Sequence, residues 1–181
     1  MNTHYTSTAK GLHWLMALMI FGLLALGFYM SDLPFSPEKL QFYAWHKWAG
    51  VTVFMLVWLR LVWRLTHRPP AYPLSMSPLQ QTLAHGGHLL LYGLMVIIPL
   101  SGWLMSSAKG VPTVWFGVLP LPDLLAKDKA LGKQLEELHS ALNIGLLVLI
   151  AGHAAAALYH HLVHKDDVLR RMLPARSSST L

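Results

Sequence analysis

Long apolar stretches separated by short polar connections form the main pattern of the chain. Four stretches are long enough to cross a bilayer as helices, which takes roughly 20 mostly apolar residues each. The predicted helices cover about residues 11–31, 42–65, 83–108 and 138–164, and prolines interrupt the connections. The pattern predicts an all-α integral membrane four-helix bundle, with residues 1–181 forming a single domain.

The first two stretches need further argument. The second contains Lys47, Arg60 and Arg64, but residues 51–59 are strongly apolar, and charged groups near a helix end can extend to the membrane surface. The first is longer than the apolar core of a signal peptide, and no small-x-small cleavage site follows it. We therefore interpret both as retained membrane-spanning helices.

Composition and charge agree with a membrane protein. The chain is 54% hydrophobic and 12% charged, with a mean hydropathy of +0.44, which is too apolar for an ordinary soluble domain. The net charge is +6, and the excess of basic residues falls on the side that carries both termini. Because basic residues favour the cytoplasmic side, both termini are predicted to be cytoplasmic. The basic character thus indicates topology and gives no support for nucleic-acid binding.

Histidine is the residue type that carries the candidate chemistry. The chain has no cysteine, which excludes thiolate-bound metals, iron–sulfur clusters and covalently attached c-type haem. It has 11 histidines, several of them within the apolar stretches. Ionisable residues inside membrane spans are functional candidates by default. Any metal or cofactor is therefore expected to be bound by histidine.

The spacing of four histidines predicts two haem sites. His139 and His153 are fourteen residues apart, which is about 21 Å of helix rise and nearly four full turns, so they share one face at two depths. His13 lies near the cytoplasmic start of the first helix, and His46 lies near the outer start of the second. Haem iron needs only two axial imidazoles. Equal depth pairs His13 with His153 at an inner haem b, and His46 with His139 at an outer haem b.

Three other residues are predicted to accompany these haems. Gly27 lies fourteen residues after His13 and Gly50 one turn after His46, so both could leave room for the outer haem. Ordinary helix packing explains these two glycines, and also Gly102, equally well. Arg60 reaches the inner depth, where its guanidinium could pair with haem propionates.

Two alternatives to this arrangement stay open. His85 and His88 lie near the inner side of the third helix, and either could replace His13 as an inner ligand or serve only in packing or hydrogen bonding. A single histidine in an apolar helix is often only an interior hydrogen-bonded residue, so the haem prediction depends on the joint pattern. Structural zinc is disfavoured because no four ligands converge.

Five stretches carry a resemblance to a known family. They are GLHWLMALMI, AWHKWAGV, LAHGGHLLLYGLMVIIPLSGW, LHSALNIGLLVLIAGHAAAALYHH and HKDDVLRRMLP. Together they resemble the bacterial cytochrome b561 family, and in particular its superoxide:ubiquinone oxidoreductase members. The resemblance implies a protein of the bacterial inner membrane with two haem b groups, which takes electrons from superoxide and passes them to ubiquinone. It also implies axial ligation by His13, His46, His139 and His153.

The inner end of the fourth helix carries the candidate catalytic residue. His160 lies seven residues after His153, on nearly the same helix face, with His161, Lys165 and Asp166 close by in sequence. The histidine pKa range suits proton exchange with a quinone, so His160 is predicted to act in proton transfer. A polar cluster that only anchors the helix end is the alternative.

The residues on the outer side of the membrane do not identify the electron donor. Lys39, Lys47 and Lys133 could attract superoxide, although solvated loop lysines are the commoner case. The rival function is a cytochrome b subunit that relays electrons from a periplasmic hydrogenase or dehydrogenase to quinone, docked through residues 109–133. A haem carrier or sensor is the third candidate.

Overall fold

The computed structural model describes residues 4–73 and 75–173 of the chain. Its four long helices are α1 (Ser7–Asp32), α2 (Pro37–Thr66), α3 (Pro78–Ala108) and α4 (Lys129–Tyr159). A π-helical turn, His160–His164, continues α4. An antiparallel hairpin of strands β1 (Val114–Trp115) and β2 (Leu119–Pro120) lies between α3 and α4.

The exposed surfaces of the helices are apolar, and this indicates that lipid surrounds them. All four are long and apolar enough to cross a membrane, and only 6% of the most apolar part of α4 is buried inside the protein. An apolar surface of this extent requires lipid around it, and helices satisfy their own backbone hydrogen bonds there. The predicted fold class, an all-α integral membrane four-helix bundle, is confirmed.

All four helices begin earlier than their apolar stretches, because polar caps such as Thr6 at α1 set their ends. The Ser36 hydroxyl accepts a hydrogen bond from a backbone N–H of α2, and the Asp128 carboxylate accepts two from α4. At α3, Ser77 and Gln80 form a capping box, in which each side chain bonds the backbone of the other. Apolar periodicity locates the membrane-embedded part of a helix, whereas the caps locate its end.

The helices do not all pack against one another. Within the described residues, close backbone packing joins α1 to α2, α2 to α3, and α3 to α4, so α4 has no extensive contact with α1 or α2. Gaps between helices therefore remain on two sides of α4.

The buried core lies at mid-depth in the bundle. In α1 its members Met16, Ile20 and Leu24 fall between His13 and Gly27, so the sequence places them between the two predicted histidine depths. The other helices follow the same rule, with Leu146 of α4 midway between its two histidines. The remaining core residues are Val53, Val57, Met95 and Ile98. The core is thus an apolar layer that separates the two depths.

The hairpin is attached to the outer end of α2. The Trp48 indole N–H donates to the Val114 carbonyl at 2.6 Å, and the Trp115 indole N–H lies 3.3 Å from the Trp48 carbonyl. The Lys47 ammonium donates to the Val111 carbonyl at 3.2 Å. These contacts hold the hairpin beside the turn of α2 that carries His46.

Replacing Trp48 tests this attachment. Trp48→Phe keeps an aromatic ring but removes the indole donor, which costs about 1 kcal/mol, so local opening of the hairpin should increase roughly fivefold. Hydrogen exchange of the backbone amides of Val118 and Leu121 is the measurement. Trp58→Phe on the same helix is the control, since the indole of Trp58 makes no hydrogen bond to the hairpin. Equal exchange rates in the two variants would contradict the prediction.

Candidate functional site

The structure brings four of the predicted histidines together as two pairs. The rings of His13 on α1 and His153 on α4 have centroids 6.3 Å apart at an interplanar angle of 66°. The rings of His46 on α2 and His139 on α4 have centroids 6.4 Å apart at 79°. We call the first pair the inner level and the second the outer level. Both pairs cross the gaps beside α4 where the helices do not pack closely.

The separation of the rings fits two imidazoles that face each other across a metal ion. Two metal–nitrogen bonds of roughly 2 Å each, on opposite sides of one ion, place the ring centroids about 6 Å apart. Among the described residues no cluster of three or more metal-binding side chains occurs, so neither pair can complete a tetrahedral zinc site. A planar macrocycle that supplies the remaining ligands is the group that two imidazoles suit.

At the outer level, the hydrogen bonds of His139 set its ring. Its Nδ1 lies 3.1 Å from the carbonyl oxygen of Ile98 and 2.9 Å from the hydroxyl of Ser101. A carbonyl only accepts, so Nδ1 carries the hydrogen and Nε2 keeps its lone pair. This is the tautomer that a metal-binding histidine adopts when its other nitrogen bonds the protein.

His46, the other outer histidine, has a glycine close to its ring on one helix and lines an apolar cavity. Its Nδ1 is buried without a hydrogen-bond partner among the described residues. A Cβ atom added to Gly27 would lie 3.4 Å from its Cε1. Gly27 thus lies at the outer level, at the predicted depth. The group for which it leaves room in the structure is the imidazole of His46, whereas the sequence suggested room for a haem. Gly50 lines an apolar cavity that opens onto both outer histidines, and a Cβ added there meets no protein atom within 4 Å.

Gly102 of α3, to which the sequence reasoning gave no role beyond helix packing, is a close neighbour of the outer level. A Cβ atom at this position would lie 3.1 Å from Cε1 of His139. One signal could have found it, because Gly102 follows His88 by fourteen residues, the same interval that separates Gly27 from His13. The sequence reasoning missed the neighbouring hydroxyl of Ser101.

A third histidine reaches the inner level. The ring of His88 lies 5.4 Å from the ring of His153, whereas His85 is exposed and makes no ring contact with the pair. The separation of 5.4 Å is shorter than the one expected across an ion, so His13 matches that geometry better than His88. Of the two alternative ligands, only His88 lies close enough to take part.

Arg60 lies at the inner level, where the sequence predicts it. Its guanidinium nitrogen is 3.1 Å from Nδ1 of His13, and it also lies over the ring of Tyr92 at 5.6 Å. A guanidinium only donates, so Nδ1 of His13 accepts and the ring hydrogen is on Nε2. A metal bond through Nε2 would need the opposite tautomer. Ligation by His13 therefore requires Arg60 to leave Nδ1, which frees its charge for an anionic partner.

At the end of α4, the structure pairs His160 with Asp166. Nδ1 of His160 is 2.6 Å from a carboxylate oxygen of Asp166, and both side chains are buried. The exposed ring of His164 stacks on His160 with centroids 5.2 Å apart. In the described part of the chain, His161 and Lys165 form no hydrogen bond or ring contact with the side chain of His160. The predicted proton-exchange cluster is thus smaller than expected, with Asp166 as its central partner.

The three outer lysines have different surroundings. Lys47 follows His46 directly, and its ammonium donates to the backbone carbonyls of Val111 and Pro112. Lys39 donates to backbone carbonyls near the end of α1, and the side chain of Lys133 is exposed. Only Lys47 is adjacent in sequence to an outer histidine.

Comparison with known proteins decides the family. Residues 4–175 match the prokaryotic cytochrome b561 family. The chain belongs to this family. A cytochrome b561 homolog 2 of Escherichia coli K12 is 36% identical over 96% of the chain and 93% of its own length. A cytochrome b561 homolog 1 of the same organism is 31% identical over 95% and 98%, and a probable superoxide oxidase CybB of Yersinia pestis is 29% identical over 97% and 99%.

Family membership gives the general activity. Cytochrome b561 proteins bind haem b and transfer electrons within the membrane, so this chain is a membrane electron-transfer protein of the oxidoreductase class. The four spans and the prokaryotic family make it a multi-pass protein of the inner membrane. The resemblance inferred from the sequence is confirmed.

Gly102→Ala tests the close approach between the backbone of α3 and the ring of His139 at the outer level of this cytochrome b561. The added methyl group displaces the ring of His139, and such overpacking costs about 1 to 3 kcal/mol of unfolding free energy. We expect a lower thermal midpoint and a changed haem absorption spectrum. The control is Gly93→Ala on the same helix, where a Cβ meets no atom within 4 Å. A normal spectrum in the Gly102 variant would show that the approach is not important for the site.

Proposed function

We propose that this cytochrome b561 holds two haem b groups and passes electrons from superoxide on the periplasmic side to ubiquinone. His13 and His153 are the proposed axial ligands at the inner level, and His46 and His139 those at the outer level. The observation that carries the proposal is the presence of two imidazole pairs on two levels of one bundle. The ring centroids are 6.3 Å apart within the inner pair and 6.4 Å apart within the outer pair. Each haem, when bound, supplies a one-electron carrier.

The residues of the chain provide for electron transfer between the levels. α4 contributes a histidine to each level, about 21 Å apart along the helix axis. Between them lie apolar side chains such as Met16 and Val57, which are almost completely buried. Because this layer excludes water and ions, protons do not follow electrons across it.

Superoxide as the donor rests on two observations. The relative from Yersinia pestis that is named a probable superoxide oxidase aligns over nearly its whole length. The ammonium of Lys47, next to His46, forms hydrogen bonds only with backbone carbonyls among the described groups and no ion pair within 4 Å, so its charge can attract a small anion. In the proposed reaction two superoxide ions each lose one electron and become two oxygen molecules, which requires no proton.

The quinone side requires protons, and His160 is the proposed catalytic residue there. One ubiquinone takes up two electrons and two protons. His160 is buried, lies two turns beyond His153, and stacks on the exposed His164. It could take protons from the cytoplasmic surface and deliver them to the reduced quinone. This arrangement agrees with both termini being cytoplasmic, as the distribution of basic residues predicts.

A relay role is the second candidate. In that case a periplasmic hydrogenase or dehydrogenase would deliver electrons to the outer level, and the chain would be its cytochrome b subunit. The observation in its favour is the exposed apolar tip of the hairpin, where Phe116 is 55% and Val118 is 83% exposed.

Stopped-flow mixing of the purified protein with superoxide tests the proposal. We expect the haem spectrum to become reduced on mixing and to reoxidise when ubiquinone is present. Superoxide dismutase, added before mixing, should abolish the reduction. If superoxide does not reduce the protein faster than it dismutates, the proposed donor is wrong and the relay function is favoured.

Substitution of the α4 histidines tests the two levels. His139→Ala removes one of only two axial bonds at the outer level, so haem content should fall to about half, with the inner level still reducible by quinol. His153→Ala should give the mirror image, in which superoxide still reduces the outer haem but ubiquinone does not reoxidise it.

Two α3 variants serve as controls for this experiment. His85→Ala should retain both haems, because the exposed His85 forms no hydrogen bond or ring contact with either pair in the described residues. If His88→Ala loses a haem whereas His13→Ala does not, His88 is the inner ligand. A loss of both haems in either α4 variant would contradict the assignment of two separate levels.

A further inference from the structure

The chain makes an unusual turn at the end of α4. Residues His160–His164 form a π-helical turn, and Lys165 then adopts a left-handed conformation with φ 53° and ψ 29°. The backbone N–H of Asp166 closes the turn on the carbonyl of His160 at 3.2 Å. Single π-turns in helices occur frequently at functional sites. Here the turn brings the Asp166 side chain back to the ring of His160.

The two side chains form a buried, well-directed contact. Nδ1 of His160 lies 2.6 Å from Oδ2 of Asp166, with the side chains 10% and 8% exposed. The other carboxylate oxygen accepts the backbone N–H of Val168 at 3.1 Å. A carboxylate accepts hydrogen bonds, so Nδ1–H donates and the lone pair is on Nε2. In the described chain, Nε2 has no hydrogen-bond partner.

The segment that carries Asp166 is itself held in place. The Trp14 indole donates to the Met172 carbonyl at 3.0 Å, and the Lys10 ammonium donates to the Leu173 carbonyl at 2.9 Å. Both donors belong to α1, so the segment after the π-turn is attached to a neighbouring helix. Asp166 is therefore a fixed partner of His160.

A path for protons leads from this pair to the surface. His164 is exposed, its ring stacks on His160, and the Gln80 amide lies 3.3 Å from its Nε2. The other titratable ring next to His160 is Tyr159, at a centroid distance of 6.3 Å. Protons can thus reach His160 from the aqueous side without crossing the apolar core.

We propose that Asp166 is a positioning residue that fixes His160 with Nδ1–H on the carboxylate and Nε2 free for proton transfer. This inference rests on the proposed function. Nε2 takes a proton from the aqueous side, and the carboxylate stabilises the imidazolium that forms. The Nε2–H bond then breaks as an O–H bond forms on ubiquinone. His160 takes up a second proton and transfers it in the same way, so that two protons and the two electrons from two superoxide ions give the quinol. Nδ1 keeps its hydrogen throughout, as in other carboxylate–histidine pairs.

Substitution of Asp166 tests the proposal in the complete haem-loaded protein. Asp166→Asn removes the charge but nearly keeps the shape, so reduction by superoxide and both haem spectra should be unchanged. Reoxidation by saturating ubiquinone should become roughly 10- to 100-fold slower, with a larger solvent deuterium isotope effect. The ubiquinone concentration for half-maximal rate should not change. Asp166→Glu should recover part of the rate.

The matched control is the next carboxylate. Asp167 forms an ion pair with Arg171 at 2.8 Å, and its side chain is 45% exposed. The contact with Arg171 lowers the pKa of Asp167, so this residue also carries a charge at neutral pH. Asp167→Asn should leave the reoxidation rate within about twofold of wild type, since Asp167 does not touch His160.

The outcomes separate this inference from the proposed function. If wild type is reduced by superoxide and reoxidised by ubiquinone, but Asp166→Asn is as fast and has an unchanged isotope effect, only the inference is wrong. An equal loss in Asp167→Asn also overturns it. If Asp166→Asn does not retain haem, nitrogen NMR of histidine-labelled wild type decides. The signal that disappears in His160→Ala should be that of an Nδ1–H tautomer, and an Nε2–H tautomer would overturn the proposal.

Discussion

The fourteen-residue interval between His139 and His153 is the constraint on which the rest of the bundle depends. A helix that carries two imidazoles on one face, about 21 Å apart, needs a partner helix at each level and room to face it. α2 supplies the partner at the outer level and α1 at the inner level. This agrees with the packing of the described residues, in which α4 packs closely against α3 but not against α1 or α2. Packing of α4 against α1 and α2 would close the gaps that the histidine pairs cross.

The apolar layer between the two levels gives the bundle its functional asymmetry. Core residues such as Met16, Val57 and Leu146 come from three helices and separate the levels. Electrons can pass between fixed carriers through such a layer, but a proton or a small anion would lose its hydration. Under the proposed function, proton chemistry is therefore expected on the side where polar groups reach the buried end of α4. In the proposed reaction that side is the quinone side, because superoxide oxidation releases no proton and consumes none.

The sequence was sufficient for the properties that follow from periodicity. The fold class depends on apolar length, and the levels of the histidines depend on helix rise, so both could be predicted. The helix ends could not, because Ser36 and Asp128 act through local hydrogen bonds outside the apolar stretches. The contact of Gly102 with His139 depends on how closely two helices approach. The pairing of Asp166 with His160 depends on a π-turn, which residue spacing on a regular helix does not predict.

Hydrogen bonding to Nδ1 distinguishes the two levels chemically. At the outer level, the Ile98 carbonyl sets His139 in the tautomer that leaves Nε2 free, so this ring is already arranged for a metal bond. At the inner level, Arg60 donates to His13 and imposes the opposite tautomer. The proposed ligation by His13 therefore involves an exchange, in which Arg60 gives up the imidazole and gains an anion such as a propionate. A guanidinium within a membrane span is costly without such a partner. In the proposed arrangement, binding of a haem at the inner level would therefore also neutralise the charge of Arg60.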